Sequence, residues 1–171
     1  AQVSALSLTD DVVKFMGLQL QKLPESTQNI LKLAACIGNQ FDLETLAIVS
    51  EQSQTQTAAD LWKALQEGLI LPQSDIYKFF IESENQDNIS ETSQTVSYKF
   101  LHDRIQQAAY SLIPEDKKQV THHHIGQLFY DSFSETEREE RIFDIVNQLN
   151  IGIDLVTEQS NRNRLAKLNL L

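Results

Sequence analysis

Three groups of side chains in the sequence could do chemistry. The first is the pair His102-Asp103, set where an alternating run of Val96, Tyr98 and Phe100 gives way to a helical pattern at Ile105, Ala108 and Ala109. An imidazole at the start of a helix can donate a hydrogen bond to a phosphate oxygen, and a carboxylate beside it can cap the helix or orient the ring. The plain alternative is that His102 and Asp103 only cap the helix, with the Arg104 side chain solvated. The second group is His122, His123 and His124. Consecutive helical residues point about 100 degrees apart, so three in a row cannot converge on one metal ion. His124 shares a face with Val120 and Leu128 and is expected in the core, with the other two at the surface. The third group is the scattered Ser, His, Asp and Cys. No nucleophile lies in a strained glycine turn, and Cys36 sits among Leu33, Ala34 and Ile37, which favours a packed thiol. The glycines form no phosphate-cradling loop. No catalytic residue and no metal site are therefore expected in this chain.

The elements that must position these residues read as mainly helical with a small β-hairpin. Thr9 is expected to cap a first helix carrying Val12, Val13, Met16 and Leu20. Pro24 opens a second, in which Ile30, Leu33, Ala34 and Ile37 recur until Gly38 stops it. Asp42 caps a short helix through Leu46 and Val49, with Phe41 as a hydrophobic staple onto Leu46. A fourth pattern places Ala58, Leu61, Trp62 and Leu65 on one face and ends at Gly68. The run Leu69-Ile70-Leu71 is closed by Pro72, and two hairpin strands follow, Tyr77–Ile81 and Val96–Phe100, around an acidic, polar loop near 83–94 that is expected to be disordered. Three helices and a wing make the order of a winged-helix domain. Helical patterns then resume: one opened by Pro114 with Val120, Ile125, Leu128, Phe129 and Phe133, one behind a capping box at Ser134-Glu135-Thr136-Glu137 with Ile142, Ile145, Val146 and Leu149, and one behind a cap at Ser160. Short links imply antiparallel helical hairpins. The amphipathic run Arg164 to Leu171 meets no stop signal, so the helical array is expected to continue beyond it.

With 171 residues, 41% hydrophobic and 22% charged, the chain is long enough for a core and too apolar for wholesale disorder. A single cysteine excludes a disulfide framework, no segment approaches the length and apolarity of a membrane span, and no secretion signal opens the chain, which points to the cytoplasm. The net charge of −10 repels polyphosphate. A DNA-reading helix from Ala58 to Gly68 would offer Lys63 alone against Asp60 and Glu67, so neither nucleic acid nor membrane is expected as a partner.

Four stretches carry a resemblance over nearly the whole chain. They are Phe100-Leu101-His102-Asp103-Arg104-Ile105-Gln106-Gln107-Ala108-Ala109-Tyr110-Ser111-Leu112-Ile113-Pro114, Leu23-Pro24 through Gly38 with Phe41-Asp42, His123 to Gly126, and Ile142 to Asn150. The chain resembles the region that follows a STAND-type ATPase in large multi-domain signalling kinases, chiefly cyanobacterial, which join a serine/threonine kinase, an ATPase, a GAF domain and a histidine kinase. The resemblance implies the last helix of the ATPase lid at 1–22, a winged helix at 23–113 and the start of a truncated, TPR-like helical array at 114–171. It implies a non-catalytic regulatory segment that couples the ATPase's nucleotide state to kinase output, with the ATPase core and the downstream array as intramolecular partners. His102 resembles the winged-helix histidine that touches the β-phosphate of ADP in such ATPases, with Leu101 where plant relatives have Met. ATP or ADP with Mg would belong to the parent and no cofactor to this chain. A protein-interaction adaptor is the alternative reading, with a possible protein partner on the terminal helices.

Overall fold

The computed structural model describes residues 2–73, 95–153, 159–168 and 170, with side chains from residue 10 onward and, past residue 153, at 163, 165–168 and 170. Its contacts divide into two compact units, Ala1–Leu112 and Ile113–Leu171. Among the described residues the architecture is mainly helical, with one small antiparallel sheet of three strands.

In the first unit, helix α1 (Gln2–Leu20) runs straight through Thr9. The expected cap there is therefore replaced by a longer helix, in keeping with the good helix formers Ala5, Leu6 and Leu8 ahead of it. Helix α2 (Glu25–Ile37) starts behind Pro24 and ends where Gly38 takes a φ of 156°, with ψ near −171°, a backbone region that is essentially open to glycine alone. Strand β1 (Gln40–Asp42) then leads into α3 (Leu43–Ser50). Asp42 caps α3, its Oδ1 accepting from the Thr45 amide at 2.6 Å and its Oδ2 from the Thr45 hydroxyl at 2.7 Å; loss of such a cap costs about 1 kcal/mol. Helix α4 (Gln54–Gln66) is capped by Ser53, which was not expected. It buries Thr57, Ala58, Leu61 and Ala64, and leaves Trp62 40% exposed. The true stripe is thus rotated from the expected one, because the small Thr57 and Ala64 complete it at i, i+4, i+7 and leave Trp62 on its edge.

Strands β2 (Ile70–Pro72) and β3 (Ser97–Phe100) complete the sheet, in the order β1-β3-β2 with both pairings antiparallel. Phe41 lies opposite Tyr98, and Ile70 opposite Phe100. β1 is a correction to the expectation of three uninterrupted helices and then a wing. Phe41 is a strand residue, its ring 5.9 Å from that of Tyr98 and 5.6 Å from that of Phe100. Tyr98 and Phe100 are buried almost completely, at about 1.5–3 kcal/mol for a large side chain. The expected strand at Tyr77–Ile81 and the acidic loop near 83–94 lie outside the described residues. Helix α5 (Asp103–Ser111) follows β3 and packs between α1 and α2 through Ile105, Ala108 and Ala109.

The second unit holds α6 (Glu115–Ser132), α7 (Glu135–Glu140), α8 (Ile142–Ile151) and α9 (Gln159–Leu168). The capping box forms as expected, with the Ser134 amide donating to Glu137 Oε2 at 2.8 Å and the Glu137 amide to Ser134 Oγ at 3.4 Å. The helix it opens is short. Arg141 leaves helical geometry at φ −109° and ψ 23°, holds its guanidinium 4.8 Å from the centre of the Phe133 ring and pairs with Asp144, so that two helices stand where one was expected. Ser160 falls inside α9 and does not cap it. Helices α6 and α8 meet along a tight seam, where a Cβ added at Gly126 would lie 2.6 Å from Leu149 Cδ2. Among the described residues, no helix is long and apolar enough to cross a membrane.

Candidate functional site at the strand-to-helix junction

His102 lies two residues past the end of β3 and takes the cap position of α5 in an extended conformation, φ −142° and ψ 147°. The backbone on either side of it is held at three points. The Phe100 amide donates to Asn39 O at 2.9 Å, the Leu101 amide to Leu69 O at 3.0 Å, and the Ile105 amide to His102 O at 2.9 Å. Gln106 Nε2 also donates to Ala35 O at 3.2 Å, tying α5 to α2. The His102 side chain makes no cap hydrogen bond, and the ring stands exposed.

Asp103 is the first residue of the helix rather than its cap, which corrects the capping role considered for it. An acidic residue in the first turn still interacts favourably with the helix dipole. Arg104 is exposed too, and its Nη1 lies 3.3 Å from Gln107 Oε1. The sequence thus places an imidazole, a carboxylate and a guanidinium in succession at the start of a helix whose opposite face is buried. The site can present a hydrogen-bond donor to an incoming anion from a backbone that need not rearrange.

Two features were not legible in advance. One is a groove of about 800 Å³ between α1 and α5, lined by Asp10, Lys14, Gly17 and Leu18 on one side and by Arg104 and Ala108 on the other. Its only sequence signal is Gly17, which narrows α1 at that point. The other is the identity of the core histidine. His122 is 3% exposed, with Nδ1 2.6 Å from Oε1 of the buried Gln148, whereas His124 is exposed. The core face of α6 is His122, Ile125, Gly126 and Phe129, so Ile125 and Phe129 are buried as expected, while the face expected for His124 through Val120 and Leu128 is corrected. Val120 is 49% exposed. Among the described residues, no group of three or more His, Cys, Asp or Glu could hold a metal ion, and Cys36 is buried.

The chain is 33% identical over 201 aligned positions to part of hybrid signal transduction histidine kinase G of Dictyostelium discoideum, and the match covers 98% of this chain and 6% of that protein. The chain therefore spans a small fraction of the length of its relative, in a signal-transduction kinase context. No protein-family model matches the sequence, and no solved structure matches the fold.

Proposed function

We propose that the chain is a non-catalytic regulatory segment of a signal-transduction kinase, and that His102 reads the phosphates of ADP held by an ATPase in the same polypeptide. The observation that carries this reading is the exposed His102 ring on a backbone pinned by Asn39, Leu69 and Ile105. Similarity to a histidine kinase over nearly the whole chain supports the context. The order α2, β1, α3, α4, β2, β3, with β3 central, supports a winged helix for the first unit. One imidazole without a phosphate-cradling loop provides little affinity, so the nucleotide and its Mg would be held by the ATPase, with His102 adding a contact made only in the ADP state.

The test uses the full-length kinase. His102→Ala is expected to release ADP during gel filtration and to raise basal autophosphorylation. Unchanged ADP retention would sink the proposal. Calorimetry of the present chain with ADP is expected to show no binding heat.

A second reading, an adaptor surface, is favoured in the second unit by Phe143, which is 76% exposed on α8. DNA reading by α4 has less support. Lys63 on that helix is engaged by Glu67 at 3.0 Å, and the chain carries ten net negative charges, which leaves few contacts for phosphate.

A further inference from the structure

Helix α1 is apolar on more than the side it buries. Leu20 is 1% exposed, but Phe15 and Leu18 stand 56% and 60% exposed. Single exposed apolar residues are ordinary on a protein surface. These two lie on a patterned line. Asp11, Phe15, Leu18 and Lys22 follow at i, i+4, i+7 and i+11, within a sector of about 60 degrees at about 100 degrees per residue. All four are exposed. The helix ends at Leu20 and Lys22 stands in the hydrogen-bonded turn that continues it, where the Gln21 amide donates to Gly17 O at 3.0 Å and the Lys22 amide to Gln19 O at 3.2 Å.

The line is self-complementary on reversal. Its midpoint falls between Met16 and Gly17, and a two-fold axis there matches Phe15 with Leu18 and Asp11 with Lys22. We propose that this face is a two-fold contact between two copies of the chain. In it α1 packs antiparallel on α1 of the second copy, with Phe15 on Leu18 of the second copy and Asp11 beside Lys22 of the second copy. An isologous contact needs such a self-matching surface. A parallel pairing would set Asp11 against Asp11 and Lys22 against Lys22, which the charges oppose. The antiparallel pairing makes two apolar contacts at the centre and one opposite-charge pair at each end.

Sedimentation equilibrium of the 171-residue chain at low salt tests this. A monomer–dimer equilibrium is expected, weakening as salt rises. Asp11→Lys and Lys22→Asp should each weaken association about tenfold, because each turns both end pairs from attractive to repulsive. The double variant Asp11→Lys/Lys22→Asp should return to within about twofold of the parent, since exchange restores opposite charges at both ends. Leu18→Asn should abolish the dimer while the circular dichroism spectrum is retained. A chain that stays monomeric up to about 1 mM, a regime that would still reveal weak association, overturns the proposal. So does a dimer indifferent to the charge reversals, or one that the double variant fails to restore. In the first case the stripe faces another segment or a different partner, and in the others the contact lies elsewhere.

Discussion

His102 stands at the cap of a helix and His122 within one, and the molecule treats them oppositely. His122 sits in the α6–α8 seam, 3% exposed, with its ring nitrogen against a buried glutamine. A buried polar side chain is tolerable only with such a partner, so its surroundings account for it fully. His102 is exposed, makes no cap hydrogen bond, and rests on a backbone tied to two neighbouring segments. Nothing in the packing requires an imidazole there. A histidine that supports the fold should thus cost stability when removed, and one that serves a ligand should cost function instead.

The comparison can be broken in order of effect. Phe129→Ala, on the same buried face of α6 as His122, should destabilise the second unit by about 3–5 kcal/mol in urea unfolding followed by far-ultraviolet circular dichroism. A loss below about 1 kcal/mol would mean that the seam is looser than its burial implies. His122→Leu should cost about 1–3 kcal/mol, because it leaves the Gln148 amide buried without this hydrogen bond. Substitution of both residues by apolar groups should recover part of that loss, and a neutral single variant would remove the structural role assigned to His122. His102→Ala should change stability by less than about 0.5 kcal/mol in the same measurement, as expected of an exposed side chain.

The smallest effect concerns Glu137. Hydrogen bonds from the Ser134 hydroxyl and amide, with a lesser contribution from Arg141, hold its carboxyl below the usual range. A carboxyl lowered in the folded state contributes stability above its unfolded value, and that contribution is lost as pH falls through the folded one. In an NMR titration Glu137 should therefore protonate at a lower pH in the parent chain than in the Ser134→Ala variant, which removes the hydroxyl that bonds it.

Much of the fold was legible where a single residue type dictates geometry. Pro24, Gly38, Asp42, Gly68 and the Ser134–Glu137 box mark boundaries because each satisfies or forbids particular backbone groups. The His102 junction was legible for a different reason, the change of hydrophobic period between Phe100 and Ile105. Other features depend on partners distant in sequence. β1 has three residues and one apolar side chain, so only its pairing with β3 makes it a strand. In α6 the buried Ile125 and Phe129 were legible, but His122 was not, because Val120 and Leu128 give a competing apolar signal while Gly126, which packs closely on Leu149, gives none. The break at Arg141 has no glycine or proline to announce it, and its guanidinium lies over the ring of Phe133, eight residues earlier.

The position of β3 has a consequence for the timing of folding. It is the middle strand of the sheet and the last of the three in the chain, so neither β1 nor β2 gains its pairing until residue 100 is available. On a ribosome adding about 5–20 residues per second, α2 to α4 have several seconds in which to pack before the sheet can close. Closure then joins residues far apart in sequence, Gln40 with Lys99 among them, a slow event in the search for the native state. The same pairing fixes the chain just ahead of His102. The junction that bears the candidate site is thus among the last parts of the first unit to become ordered.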